Sequence, residues 1–140
     1  MIKITPADKA LADCLKLAAD YHCQRCQTRL GEKHRGLHAS HYVGRSNWSV
    51  RFHPDNVFVH CYGCHAYLGS RPYEFRQWVE GAIGEGRHAM IVEASRSVDR
   101  GRRARREMKA IATHYRQQLR SMQERRKQGE TTRFEIEAYD

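Results

Sequence analysis

The sequence lacks any long apolar run. None of its apolar stretches approaches the roughly 20 residues that a membrane-spanning helix needs, and its start, Met-Ile-Lys-Ile-Thr, holds no apolar secretory core. These absences exclude a membrane-spanning class and lead us to expect a soluble, intracellular protein. In a reducing cytosol the five cysteines would persist as thiols. Metal binding is therefore favoured over the alternative of two disulfides.

Acidic residues are scarce in one part of the chain. The whole sequence has 25 Lys and Arg against 16 Asp and Glu, a net charge of +9. Residues 96–127 hold twelve of the bases and three of the acids, so this segment carries the entire excess. A solvated helix face normally mixes the two signs four residues apart, whereas a one-sided run is typical of nucleic-acid binding. We predict DNA as a partner, contacted in this segment by Arg102, Arg103, Arg105, Arg106, Lys109 and Arg116.

Four of the five cysteines form two pairs with the same spacing, Cys23 with Cys26 and Cys61 with Cys64. Two intervening residues form a tight knuckle that directs both sulfurs to one metal ion, and two knuckles supply the four thiolates of a structural Zn²⁺ site. Such a site contributes on the order of 10 kcal/mol to folding, which a small core needs. Cys14 has no partner at this spacing and is expected to be a small buried residue.

Local patterns predict an α+β fold. Thr5, Pro6 and Asp8 are typical of a helix start. Strands are expected at about residues 37–43 and 57–60. Short helices should follow the second knuckle and Pro72.

The basic segment also contains an apolar stripe, which predicts one long helix from about Val92 to Gln128. A stripe this narrow suits docking on the zinc module or pairing with a second copy of the chain. Its members recur every three or four residues and are Ala104, Met108, Ile111, Tyr115, Leu119 and Met122.

Three polar residues stand beside the knuckles: His41 in the first strand, Asn56 just before the second, and His65 directly after the last cysteine. This order on a zinc-knuckle frame resembles the HNH, or ββα-metal, endonucleases. The resemblance is closest to phage recombination nucleases of the NinG (Rap) type, and the layout is also similar to the phage resolvase endonuclease VII. It covers about residues 21–78 and rests on the segments HASHYVGRS (38–46), RFHPDN (51–56) and CYGCHAYL (61–68).

The resemblance implies a small zinc-stapled ββα-metal module, treble-clef-like, with flanking helices and a long basic C-terminal helix. It implies a metal-dependent DNA endonuclease in phage recombination or DNA processing, with branched DNA as the favoured substrate. We then expect the protein in the cytoplasm of a bacterial host cell, including its nucleoid. The expected parts are an N-terminal helix (1–20), the zinc-bound nuclease module (21–84), a basic helical arm (85–129) and an acidic mobile tail (130–140).

Phosphodiester hydrolysis needs a base, a Lewis acid and a complement to the developing negative charge. His41 suits the base, because imidazole titrates near neutral pH. The resemblance assigns to Asn56 the orientation of that ring, and His65 is expected to bind a catalytic Mg²⁺ or Mn²⁺ ion. Arg45 and Arg51 are candidate phosphate contacts.

One position departs from the family pattern. Most HNH nucleases place an Asp or His, as a second metal ligand, immediately before the base, and here Ser40 occupies that place. His38 shares its strand face with Ser40, because alternate residues of a strand point the same way. His38 is therefore predicted to supply the missing ligand.

Two other functions remain open at this stage. One is a zinc-based DNA-binding module without catalysis, for which Ser40 is the best argument. The other is a phage assembly or packaging accessory protein, which would use the apolar stripe to bind a phage protein partner. The same stripe on the C-terminal helix would serve a homodimer.

Overall fold

A computed structural model describes residues 2–140 as an α+β fold, which confirms the predicted class. None of the helices in this range is long and apolar enough to cross a membrane. The regular elements of these residues are α1 (Pro6–Ala18), β1 (Leu37–His41), β2 (Val57–Cys61), α2 (Tyr62–Gly69), α3 (Pro72–Ile83), α4 (Glu85–Ala94), α5 (Val98–Arg106) and α6 (Met108–Lys127).

The first helix begins with the residues predicted to start it. Thr5 Oγ1 accepts a hydrogen bond from the Asp8 N–H at 3.2 Å, and the Asp8 carboxylate accepts one from the Thr5 N–H at 2.7 Å. This reciprocal pair satisfies two N–H groups that the helix itself leaves unbonded. Further along α1, buried Cys14 donates from Sγ to the Tyr115 carbonyl oxygen at 2.9 Å. Cys14 is thus the small buried residue that its isolated position predicted.

The two strands form one antiparallel hairpin whose faces cover different cores. Ser40 lies opposite Phe58, which packs with Phe75 and Val79 in a small core against α3. His41 lies opposite Val57, which belongs to the larger core with α1 and α6. Neighbouring residues of β1 therefore point into different environments.

The helix predicted from Val92 to Gln128 is divided into shorter helices, which corrects the expectation of one continuous element. Its first part belongs to α4, which ends at Ala94. α5 then starts afresh after Ser97, whose Oγ accepts from the Arg100 N–H at 3.3 Å. A second break falls at Glu107, where α5 ends and α6 begins. Serine competes with the helical backbone for hydrogen bonds and favours an N-cap position over a helix interior.

α6 is part of the scaffold and not a free arm. Ile111, Tyr115 and Met122 are at most 4% exposed and pack in the larger core with α1. The Tyr115 hydroxyl donates to the Phe52 carbonyl oxygen at 2.5 Å, which ties α6 to the segment between the strands. The apolar stripe packs mainly on α1, in a core that also includes Phe52 and Val57 of the predicted zinc module.

The last residues, predicted to be an acidic mobile tail, lie against the helices. Phe134 is 6% exposed, and the Glu137 N–H donates to the Gln118 side chain at 2.9 Å. The Tyr139 hydroxyl donates to the Glu107 carboxylate at 2.6 Å. Phe134, Ile136 and Tyr139 give this segment an apolar side that joins the larger core, and its net charge alone did not indicate that.

Candidate metal centres and active site

The four paired cysteines meet at the junction of the hairpin and α2. Their Sγ atoms all lie within 4.8 Å of one another. Cys23 and Cys26 come from the knuckle after α1, Cys61 ends β2, and Cys64 lies in the first turn of α2. All of the cysteines are free thiols. The cluster fits a structural Zn²⁺ ion bound by four sulfurs.

Each sulfur of the cluster also has one polar neighbour at hydrogen-bond distance. Cys23 Sγ accepts from the Cys26 N–H at 3.5 Å, and Cys61 Sγ from the Cys64 N–H at 3.4 Å. The Thr28 hydroxyl lies 3.3 Å from Cys26 Sγ, and Arg25 Nη1 donates to Cys64 Sγ at 3.4 Å. Donors to sulfur stabilise thiolates. The surroundings are therefore suited to four negatively charged ligands.

The acidity of two thiols follows from these neighbours. The hydrogen bond with Thr28 lowers the pKa of Cys26 to about 6. Burial raises the pKa of Cys64, although the Arg25 hydrogen bond works against that effect. A bound metal ion deprotonates a coordinating thiol outright, so Cys64 would become a thiolate when the metal binds.

Two histidines face each other beside the cysteine cluster. His38 Nδ1 on β1 and His65 Nδ1 on α2 are 2.9 Å apart. Burial lowers the pKa of His65, and His38 and Arg45 lower it further. The two nitrogens share one proton in a hydrogen bond, and a divalent ion could be held between them in place of that proton. His38 is the residue predicted to replace the family's usual ligand.

Ser40 lies on the same strand face as His38 but is completely buried, and its hydroxyl has no hydrogen-bond partner. Within residues 2–140, the only cluster of three or more Cys, His, Asp or Glu ligands is the four-cysteine one. The histidine site thus offers an ion two protein nitrogens, with no third such ligand close by.

His41 is held by a backbone carbonyl. Its Nε2 lies 3.2 Å from the Arg51 carbonyl oxygen, and since a carbonyl only accepts hydrogen bonds, Nε2 carries the proton and Nδ1 the free lone pair. Burial, followed by the charge of Arg45, lowers the pKa of His41 to about 4. At neutral pH the ring is therefore neutral, and its Nδ1 lone pair can accept a proton as a weaker base than a free imidazole.

Asn56 fastens the loop that connects the two strands. Its amide Oδ1 accepts from the Val43 N–H at 2.7 Å, and Nδ2 donates to the carbonyl oxygens of Val43 and Val50 at 2.9 and 3.2 Å. No hydrogen bond joins Asn56 to the His41 ring among the described residues. Asn56 instead fixes the backbone just before Arg51, the residue whose carbonyl holds His41.

The prediction that Arg51 contacts phosphate is wrong. Arg51 is 2% exposed, and its guanidinium bonds both carboxylate oxygens of Asp8, at 3.1 and 2.8 Å, and the Lys3 carbonyl oxygen at 2.7 Å. Burial alone would raise the pKa of Asp8, but the hydrogen bonds from Arg51 and Thr5 hold it below its ordinary value. Arg51 belongs to a buried ion pair that joins the loop between the strands to α1.

The other predicted phosphate contacts differ in their surroundings. Arg45 is half-buried, and its charge lowers the pKa values of both His41 and His65. Arg103 bonds Glu107 at 2.9 Å, and Arg106 lies 3.6 Å from the same carboxylate. The remaining four are exposed and have no ion pair within residues 2–140: Arg102, Arg105, Lys109 and Arg116.

Two buried histidines, His60 and His88, were not singled out by the sequence. His60 is 0% exposed and packs against Trp78 and Phe75, with ring centroids 4.6 and 6.0 Å apart. Neither ring nitrogen has a hydrogen-bond partner. His60 lies opposite His38 in the hairpin register, and the alternation of the two strands was the signal that could have placed it on the face of the histidine site.

Comparison with known proteins adds no relative. The chain matches no protein-family model, no curated protein and no solved structure. What the structure establishes is a small α+β fold with a four-cysteine, zinc-type cluster where a β-hairpin meets a helix.

Proposed function

We propose that the protein is a metal-dependent endonuclease of the HNH kind that hydrolyses phosphodiester bonds in DNA. The observation that carries the proposal is the 2.9 Å approach of His38 Nδ1 and His65 Nδ1 beside the four-cysteine frame. Four sulfurs fill the coordination sphere of a structural zinc ion, whereas two nitrogens leave most positions open for water and substrate. The two centres therefore suit different tasks.

His41 is the proposed general base. Its Nδ1 lone pair takes a proton from the attacking water, while the Arg51 carbonyl keeps Nε2 protonated and the ring oriented. Asn56 supports this arrangement indirectly. Its side chain donates to the Val50 carbonyl oxygen and so fixes the backbone next to Arg51, whose carbonyl holds His41. Arg45 is the proposed contact to the reacting phosphate, since its charge reaches both His41 and His65.

The histidine pair would hold the catalytic ion. A divalent ion there would supply Lewis-acid stabilisation of the phosphate and the leaving oxygen. Nitrogen ligands suit transition metals better than Mg²⁺, which prefers oxygen. Of the two ions expected from the sequence, Mn²⁺ is the better match to His38 and His65.

The experiment that tests the proposal compares matched linear duplex, fork and four-way-junction DNAs with Mn²⁺ or Mg²⁺. We expect cleavage by the wild type and by His34→Ala, an exposed loop histidine used as the control, and loss of cleavage in His41→Ala. Equal cleavage by His41→Ala and the wild type would remove His41 as the base. A preference for branched DNA rests on the resemblance and is tested by the ranking of the three substrates, whereas a role in phage recombination rests on the resemblance alone.

A zinc-based DNA-binding module without catalysis is the second candidate. The buried, unpartnered Ser40 hydroxyl favours it, because that position then supplies no ligand. So does the orientation of His41, which lies on the opposite strand face from His38. Salt-dependent DNA binding by zinc-loaded protein that cleaves none of the three substrates would establish this alternative.

The assembly-protein alternative and a homodimer through the stripe lose their main support. Both relied on an accessible stripe between Ala104 and Met122, and that stripe packs inside the molecule.

A further inference from the structure

A surface cavity lies between α5 and the loop that follows β1. It has a volume of about 310 Å³, and its lining includes Ser46, Trp48, Arg96, Ser97, Arg102 and Arg105. It is separate from the cysteine cluster and from the histidine pair. Its loop side begins at Ser46, directly after Arg45 in the chain.

The two walls of the cavity are fixed to each other. Asn47 Nδ2 donates to the Ser95 carbonyl oxygen at 2.8 Å, and Ser49 Oγ donates to the Ser97 carbonyl oxygen at 2.5 Å. Gly101 of α5 is buried against the loop, where an added Cβ would lie 3.1 Å from Ser49 Oγ. α5 can therefore approach closely because it has no side chain at this point.

Trp48 lines the cavity, and its ring contacts two arginines. The Arg105 guanidinium lies 4.5 Å from the ring centroid, and that of buried Arg51 lies 4.4 Å from it. Arg51 is itself held by Asp8. The position of Arg105 is thus connected to the rigid interior of the protein, which reduces the conformational entropy lost when a ligand binds.

The cavity carries positive charge that no acidic residue neutralises. Within residues 2–140, Arg96, Arg102 and Arg105 make no ion pair, whereas nearby Arg103 bonds Glu107. Guanidinium groups bind phosphate oxygens with two parallel hydrogen bonds, and serine hydroxyls add further donors. These are the groups that position a nucleic-acid backbone without reading its sequence.

We infer that this cavity, between Ser46 and the exposed arginines of α5, is a phosphate-binding subsite for the DNA strand that enters the candidate active site. The inference rests on the proposed function and adds to it a second point of contact. Ser46 and Arg45 are neighbours in the chain, so their Cα atoms are about 3.8 Å apart. The bound phosphate then lies within a few nucleotides of the phosphate that reacts.

The test measures DNA affinity without added divalent ions, so that it does not depend on cleavage. The double variant Arg96→Ala, Arg102→Ala should bind a 20-base-pair duplex about tenfold more weakly at 0.1 M salt, and the slope of the salt dependence should fall by about 0.9 for each phosphate that the protein no longer neutralises. The matched control is Arg120→Ala, Lys127→Ala, which removes the same charge from exposed sites on α6 that are not among the predicted DNA contacts. Equal reductions in affinity in the two double variants would overturn the subsite.

A second pair of variants keeps every arginine. Ser46→Glu places a negative charge in the cavity and should weaken binding as strongly as the arginine variant, while Ser121→Glu on the exposed side of α6 should change it little. An unchanged affinity in Ser46→Glu would contradict the inference. Each variant is first checked for its zinc content and helical signal.

The source of the phosphate is tested by competition. If the cavity holds a strand, 5 mM inorganic phosphate should weaken duplex binding by the wild type more than by the Arg96→Ala, Arg102→Ala variant when ionic strength is matched with chloride. Phosphate that binds the wild type and not the variant, while both bind the duplex with equal affinity, would assign the cavity to a small free anion and overturn the assignment to DNA. Failure of the subsite shows in binding, whereas failure of the nuclease proposal shows in cleavage, so the two are distinguished.

Discussion

The cysteine cluster and the histidine pair are two candidate metal centres that share the β2–α2 junction but differ in completeness. The first centre has four sulfurs within 4.8 Å of one another, each with a polar neighbour, and these complete the coordination sphere of a zinc ion. The second offers two nitrogens 2.9 Å apart. Cys64 and His65 are adjacent in the chain, so the closed centre fixes the helix that positions the open one. On the proposed function, one metal would maintain the fold while the other would be available to substrate.

The largest effect, a loss of folding, is expected from removing one cysteine ligand of the zinc-type cluster. Cys23→Ser or Cys64→Ser should give unfolded or aggregated protein, because losing about 10 kcal/mol of metal binding removes most of the roughly 5–15 kcal/mol that keeps a domain folded. Zinc content and circular dichroism measure this. Cys14→Ser is the control and should remain folded with close to one zinc per chain. A well-folded, zinc-free Cys64→Ser protein would refute the role of the cluster.

At the open centre, His38 should matter more than Ser40. We expect His38→Ala to raise the Mn²⁺ concentration needed for half-maximal cleavage by about 10–100-fold, a range already seen when a residue that only supports a metal ligand is changed. Ser40→Ala should have little effect, because its hydroxyl is buried without a partner. Cleavage rates titrated with Mn²⁺ decide this. The reverse ranking would exclude His38 from the site.

A smaller effect, on the rate of zinc release, is expected from changing a residue that contacts a zinc ligand. Arg25 and Arg71 both stack on the Tyr67 ring, at 4.3 and 4.0 Å, but only Arg25 donates to a cysteine sulfur. Arg25→Ala should therefore release zinc to a chromogenic chelator about tenfold faster, and Arg71→Ala should behave like the wild type. Identical release rates in the two variants would show that the hydrogen bond to Cys64 does not matter.

The smallest effect, on the free energy of unfolding, is expected at His60, whose two ring nitrogens are buried without hydrogen-bond partners. His60→Phe should raise the free energy of unfolding at pH 7 by about 1 kcal/mol, because the unpaired nitrogens disappear while an aromatic ring, slightly larger than imidazole, stays against Trp78. Urea denaturation at several pH values measures this. A destabilised variant that also loses Mn²⁺ dependence would instead make His60 part of the open centre.

The same variant tests how the stability of the fold depends on pH. Burial lowers the pKa of His60 to about 4, from about 6.5 in an unfolded chain. Between these values the unfolded state binds the proton more readily, so this contribution to stability is complete above about pH 6.5 and is lost as the pH falls toward 4. The free energy of unfolding of His60→Phe should therefore decline less between pH 7 and pH 5 than that of the wild type.

Features with a local signal were predictable from the sequence. The start of α1 depends on residues within one turn, from Thr5 to Asp8, and each zinc knuckle depends on four consecutive residues. His38 was predicted as a second metal ligand from strand alternation, and His65 from its position after Cys64. The structure brings their Nδ1 atoms to 2.9 Å, and a shared ion stays a prediction. The helix start at Ser97 also has a local signal, because serine is a common N-cap residue. The apolar stripe nevertheless favoured one continuous helix across this position.

Features that depend on distant partners were not predictable. Arg51 and Asp8 are 43 residues apart in sequence, so the residues around Arg51 predict a phosphate contact and do not indicate the buried ion pair. Phe134 and Tyr139 pack because α1 and α6 provide a core for them, which composition alone cannot show. The unpartnered nitrogens of His60 likewise depend on the ring packing of Trp78 and Phe75.

The most direct test of the account is nicking of supercoiled plasmid by zinc-loaded protein with Mn²⁺, measured beside zinc-loaded His41→Ala. The account predicts nicked circles from the wild type at a rate about 10²–10⁴-fold above that of the variant, the usual contribution of a general base, with equal zinc content and DNA affinity. Wild-type protein that binds the plasmid but leaves it intact with Mn²⁺ and with Mg²⁺ would contradict it.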